Sequence, residues 1–138
     1  MSETRSLTSV SVGDELPPLE IPLTRTLIVS TAIASRDYQD VHHDHVLAQE
    51  RGSPDIFMNI LTTNGFVGRF VTDWTGAGAT LKKIDIRLGA PNYPGDTMTI
   101  EGAVTAKDDE AGTIEVSVRG ANRLGDHVTG TVLVALPN

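Results

Sequence analysis

The sequence predicts an α+β fold in which a curved antiparallel sheet wraps a long helix. Three observations predict it. The hydrophobic period changes once along the chain, from helical spacing before Trp74 to strand alternation after Ala79. Between 56 and 74, Ile56, Ile60, Val67, Val71 and Trp74 recur on one helical face, and Phe57, Leu61 and Phe70 on the next, so the helix is covered on most sides. The four strand-like runs that follow are divided by turn signals, the second and third of hairpin type, which makes an antiparallel meander. Helix first and strands afterwards argues against alternating βαβ units, and no Gly-rich phosphate loop is present.

The elements follow in order. Residues 1–23 are polar and Pro-rich, and Leu19-Glu20-Ile21 between Pro18 and Pro22 fits a short edge strand, where a missing N–H is tolerated. Leu27, Ile28, Thr31, Ala32 and Ser35 space as a short helix ending near Arg36. A polar knot runs from Asp37 to His45, and a second short helix around Val46-Leu47-Ala48 closes at Gly52. The long helix has the best start signal: Ser53 as N-cap, Pro54 at the first helical position and Asp55 at the positive end of the dipole. Running to about Asp73, its ~18 residues span roughly 27 Å. Gly65 and Gly68 would weaken an exposed helix, so both are expected to mark close packing against another backbone. Strands are expected at 80–88, 97–104, 113–118 and 128–136, separated by Pro91-Asn92-Tyr93-Pro94-Gly95-Asp96, Asp108-Asp109-Glu110-Ala111-Gly112 and Arg123-Leu124-Gly125-Asp126.

Composition bounds the function. The length of 138 residues suits one domain over 1–138. Eleven Lys and Arg against 18 Asp and Glu leave a net charge of −7, which argues against nucleic acid or an anionic membrane as partner. The absence of cysteine excludes disulfides, thiolate zinc sites and a Cys nucleophile. No targeting segment is visible, and Asn59, Thr62, Thr63, Asn64, Arg69 and Asp73 interrupt the greasiest stretch. The expected location is the cytoplasm.

The knot Ser35-Arg36-Asp37-Tyr38-Gln39-Asp40-Val41-His42-His43-Asp44 is the one dense group of titratable residues, and it admits three readings. It can be a solvated loop. It can hold a metal, although His42, His43, Asp44 and His45 are consecutive, whereas ligands usually share one face at i,i+4 or come from separate elements. It can also perform acid–base chemistry, because a carboxylate and an imidazole on one tight loop converge on a single water.

The same stretch resembles the hydratase motif of MaoC-like hotdog-fold enoyl-CoA hydratases, Ser-Gly-Asp-x-Asn-Pro-Ile-His with a trailing acid. Asp37 and His42 match its Asp and His at the same spacing, Val41 its apolar residue and Asp44 its acid. Val12-Gly13-Asp14, the stretch from Phe57 to Trp74, and Pro91 through Gly95-Asp96-Thr97 match flanking features of the family. Arg36 stands where the family has Gly, and Gln39-Asp40 where it has Asn-Pro. The family's His-Gly at the start of the central helix falls on Pro54-Asp55 in this reading. The run 36–44 with 55–62 looks most like the small MaoC-like subunits of steroid side-chain enoyl-CoA hydratases, which pair with a second MaoC-like chain.

The resemblance implies a hotdog fold and hydration of a trans-2-enoyl-CoA by water held between Asp37 and His42, with no cofactor beyond the CoA of the substrate and no metal. In the family, the helix-start glycine N–H holds the thioester oxygen. Here that task is expected of the backbone at Asp55, Ile56 and Phe57, with the Asp55 side chain pointing away. Lys82, Lys83, Arg87, Arg69 and Arg123 are candidates for the CoA phosphates, and His43 and His45 are expected at the surface or behind the site. The implied partner is a second MaoC-like chain or a second copy of this one, because one sheet leaves a stripe of the helix bare. Two alternatives stay open: a non-catalytic acyl-CoA-binding subunit, and a hotdog thioesterase centred on Asp55 or Asp73.

Overall fold

The computed structural model describes residues 3–138. Strand β1 (Glu15–Pro22) is followed by helices α1 (Arg25–Ala34), α2 (His45–Glu50) and α3 (Ile60–Thr75), then by strands β2 (Thr80–Leu88), β3 (Thr97–Asp108), β4 (Thr113–Asn122) and β5 (Gly125–Ala135). The five strands form one antiparallel sheet in the order β1-β3-β4-β5-β2. β3, β4 and β5 are the expected meander, while β1 and β2 add to its two edges. β1 is longer than expected because its register shifts between Leu16 and Leu19, which lets Pro17-Pro18 sit in a bulge on an edge strand. Leu16 and Ile21 still reach the core on either side of that bulge.

The sheet curves around α3, making the hotdog arrangement that the resemblance implies. Val67, Phe70, Val71 and Trp74 of α3 bury against Met98, Ile100, Val104, Val116, Val118 and Val132 of the sheet. Removing a side chain such as Ile100, fully buried, costs about 2–5 kcal/mol as an Ala substitution. Gly68 is a point of close approach, since a Cβ there would meet Ile84 and Leu81 of β2 at 3.5 and 3.6 Å. Gly65 is different, because nothing lies within 4 Å of a Cβ built on it and it faces open space.

The start of the long helix differs from the sequence expectation. α3 begins at Ile60, not Pro54, and its 16 residues span about 24 Å. Ser53 does not cap it, because its hydroxyl donates to the Asp55 carbonyl at 2.8 Å. Residues 53–59 run as a non-helical segment in which Ile56 and Met58 are buried at alternate positions. The competing bonds are tertiary: the Phe57 N–H donates to the Val41 carbonyl and the Met58 N–H to the Asn92 carbonyl, both at 3.1 Å. Asn59 then caps the helix, its side chain accepting from the Thr62 N–H at 3.3 Å. Ile60 and Leu61, read as core, are each 52% exposed. No helix among the described residues is long and apolar enough to cross a membrane.

Candidate active site

Two helix ends build the site. α1 starts at Thr24, whose side chain accepts from the Leu27 N–H, and stops at Ser35. Its last turn closes with the Asp37 N–H donating to the Ala32 carbonyl and the Arg36 N–H to the Ile33 carbonyl, both at 2.9 Å. This is a Schellman ending, which requires the residue after the cap to be left-handed. Arg36 supplies that conformation at φ 58°, the one non-Gly residue with positive φ among those described. The chain therefore makes without glycine the bend for which the family uses Gly. Asp37, the next residue, has its backbone pinned to the end of α1.

His42 comes from a single 3-10 turn, Asp40–His42. Its imidazole is buried, and its Nε2 lies 3.3 Å from Asp37 Oδ2. On the other side of the ring, Nδ1 is 2.7 Å from the Phe57 carbonyl. A carbonyl only accepts, so Nδ1 carries a hydrogen, and Nε2 is the ring nitrogen turned toward Asp37. The Phe57 ring meets His42 edge-on with centroids 5.0 Å apart, and Tyr93 meets Phe57 in the same way at 6.4 Å. Segment 53–59 thus buttresses the imidazole.

Asp37 has two further donors. The Gln39 N–H approaches its Oδ1 at 3.3 Å, and the Asn59 side-chain amide donates to Oδ2 at 3.2 Å. Asn59 is buried and also donates to Ser35 Oγ at 2.9 Å. Sequence reasoning missed Asn59. The signal was an N-cap residue type directly before Ile60, hidden by the stronger start pattern at Ser53-Pro54-Asp55.

Other predicted residues go elsewhere. The N–H of Ile56 is taken by the Asp55 carboxylate at 2.7 Å and that of Phe57 by Val41, so these groups are not available to a thioester oxygen. The expected role of Asp55, Ile56 and Phe57 as helix-start donors is thereby corrected. With α3 beginning at Ile60, the start of the central helix falls on Asn59-Ile60 instead of Pro54-Asp55.

Asp55 is held by Arg25 through two bonds of 3.0 and 2.7 Å and by His45 Nδ1 at 3.0 Å. Burial pushes its carboxyl up, but the bonds from His45, the Ile56 N–H and Arg25 outweigh that and hold it below the ordinary carboxylate value. Asp44 caps α2 by accepting from the Leu47 N–H at 3.0 Å. His43 lines a small polar cleft with Tyr38, Gln39, Asp40 and Arg51. The consecutive histidines thus diverge to separate surroundings.

The cations do not gather at the pair. Lys82, Lys83 and Arg87 are exposed along β2, and Lys83 lies 3.8 Å from Asp85. Arg69 pairs with Asp73 at 3.2 Å and Arg123 with Asp96 at 3.8 Å. Asp73 stands four turns of α3 beyond Asn59, far from the imidazole. A second buried imidazole was also missed: His127 Nδ1–H donates to the Ala90 carbonyl at 2.7 Å, so Nε2 accepts from the Thr63 hydroxyl at 2.8 Å. Burial pushes its pKa below the ordinary value, and it serves as a neutral brace between β5 and the first turn of α3.

The chain is 54% identical over 125 residues to the 3-oxo-4,17-pregnadiene-20-carboxyl-CoA hydratase beta subunit of Mycobacterium tuberculosis, covering 91% of this chain and 95% of the relative. It superposes on a chain of the ChsH1-ChsH2 complex from Mycobacterium tuberculosis with a TM-score of 0.88 at 54% identity, covering 91% and 98% of the two chains. The R-hydratase PhaJ1 of Pseudomonas aeruginosa shares the fold, with a TM-score of 0.87 at 18% identity over 96% of this chain and 86% of that one. Residues 9–123, which contain the Asp37–His42 pair and the α3 that caps on Asn59, match the model of the MaoC like domain, and the chain belongs to that family.

Proposed function

We propose that this chain adds water across the 2,3-double bond of a trans-2-enoyl-CoA. The single observation that carries the proposal is the buried imidazole whose Nε2 faces a carboxylate at 3.3 Å while its Nδ1 is held by a carbonyl. A water between Asp37 and His42 forms its O–C bond at the electrophilic β-carbon. The pair takes one proton from that water and returns one to the α-carbon, acting as a coupled unit. The thioester oxygen gains negative charge in this step and requires a donor. The first N–H groups of α3 lack intrahelical partners, and the Ile60 N–H, the first of the helix, is the assigned donor.

An apolar groove supports an acyl thioester as substrate. It lies between α1 and α3, has a volume of about 350 Å³, and is lined by Thr31, Ala34, Leu61, Gly65 and Phe66. It closes on Ser35 and Thr62, both bonded to Asn59, which in turn bonds Asp37. The similarity to a steroid side-chain CoA hydratase subunit supports a bulky ring-bearing acyl group. Exposed apolar side chains around the site, among them Ile33, Tyr38, Leu47, Ile60 and Leu61, support cover by a second MaoC-like chain.

The test is a hydration assay on steroid, short and long enoyl-CoA substrates, with the chain alone and co-expressed with a second MaoC-like chain. Loss of enoyl absorbance without free thiol is the expected result. Thiol release would identify a thioesterase, and hydration that survives loss of Asp37 and His42 would make the chain a binding subunit.

A further inference from the structure

We propose that Asn59 is a positioning residue that locks the N-terminus of the central helix to the catalytic carboxylate. This rests on the hydration reading above. The orientation of its amide follows from its partners. Oδ1 accepts from the Thr62 N–H and from the Thr62 hydroxyl, so it is the oxygen. Nδ2 faces Ser35 Oγ at 2.9 Å and Asp37 Oδ2 at 3.2 Å, so both of its hydrogens have acceptors. The Ser35 hydroxyl donates in turn to the Thr31 and Ala32 carbonyls at 2.8 and 3.1 Å, which leaves its lone pairs for Asn59. Flipping the amide would set an oxygen against the carboxylate and an N–H against the Thr62 N–H. The network admits one arrangement.

That arrangement joins the two ends from which the site is made. One side chain caps α3, whose next N–H is the assigned thioester donor, and holds Oδ2 of the residue just past the end of α1. Asn59 is 1% exposed, so no water competes for these bonds. With Oδ2 held by Asn59 and Oδ1 by the Gln39 N–H, the carboxylate plane is set against His42 Nε2. The donor–carboxylate distance is thereby fixed before substrate arrives. Asp37 is faced by His42 from the 3-10 turn and has Arg36 and Tyr38 beside it in the chain. The nearby acids are engaged elsewhere, Asp40 with Arg51 and Asp55 with Arg25 and His45.

Asn59→Asp separates the capping role from the positioning role. An Asp side chain caps a helix as well as Asn does, so the cap is kept, and any loss in the thermal midpoint should appear at neutral pH and shrink on acidification, as the shared proton requires. The amide donor becomes a second carboxylate against Asp37 Oδ2, and such pairs share a proton. The expected result is a rise of at least about one unit in the Asp37 titration, read by carboxyl NMR on the full chain, with the same rise in the acid limb of kcat/KM. Asn59→Ser, which keeps a cap oxygen and loses the amide NH2 that reaches Asp37, should lower kcat by at least about tenfold with KM less affected. An unchanged Asp37 titration in folded Asn59→Asp, or an unchanged kcat in Asn59→Ser, overturns the proposal. Asp37→Asn measured alongside isolates the underlying reading. If it retains hydration, the reading has failed, whereas the NMR titration still decides the role of Asn59.

Discussion

Among the described residues, two Asp–His pairs meet the same segment, residues 53–59, and their surroundings differ. His45 and Asp55 meet at 3.0 Å, closer than the 3.3 Å of His42 and Asp37. Yet Asp55 already has the Arg25 guanidinium on both oxygens, and His45 is half-exposed. Its charge is spent on a local brace. Asp37 has amide donors and one titratable partner, and that partner is buried with its far nitrogen committed to a carbonyl. Proximity of a carboxylate and an imidazole does not make a site. What separates the two is a carboxylate without a permanent cation, facing a buried imidazole whose other nitrogen is held by a carbonyl.

Breaking each pair tests the comparison. Asp37→Ala and His42→Ala should each lower kcat/KM for enoyl-CoA hydration by about 10²–10⁴-fold while circular dichroism stays native. Full activity in either would dissolve the distinction. Ile60→Pro should cost about 10²–10³-fold in kcat. Proline is tolerated at the first helical position, and Asn59 already has the extended backbone that must precede it, at φ −80° and ψ 160°. A rate equal to wild type would remove the Ile60 N–H from the mechanism.

Asp55→Asn should leave hydration unchanged and cost about 1 kcal/mol of stability by urea unfolding. The folded carboxyl titrates below its unfolded value, so this stabilisation is present above the ordinary carboxylate pKa of about 3.9 and is lost as pH falls through the folded value. Asn removes that part of the acid sensitivity. A large rate loss here would favour the thioesterase reading. The smallest effect belongs to Arg36, which presents Asp37 from a left-handed turn. Gly52 ends α2 with the same bond pattern at φ 93°, its N–H donating to Gln49 and that of Ser53 to Ala48. Arg36→Gly should raise stability by roughly 0.5–1 kcal/mol, the left-handed penalty of an L residue less the added freedom of the unfolded chain.

Local signals were readable wherever the deciding partner lies within a few residues. The change of hydrophobic period marked the turn from helices to sheet. The resemblance of the stretch 35–44 to the MaoC-like motif marked Asp37 and His42, and a helix end and one 3-10 turn, both short-range structures, carry them. Gly52 marked the end of α2 for the same reason. Ser53-Pro54-Asp55 failed as a helix start although its local chemistry is sound, since the N–H groups of Phe57 and Met58 found better acceptors in Val41 and Asn92. Ile60 and Leu61 were read as core because helical spacing says which residues share a face and not what covers it.

The amino-acid sequence by itself therefore determined the order of elements and the helix end and 3-10 turn that carry Asp37 and His42, since each is settled by bonds between near neighbours. The tertiary structure decided which aspartate stays free of a cation, which N–H opens the central helix, and that Asn59 reaches back to Asp37. Those outcomes depend on partners some 15–35 residues away, Arg25 for Asp55, Asn92 for Met58 and Asp37 for Asn59. Only the packing of helices against the sheet brings such groups within bonding distance.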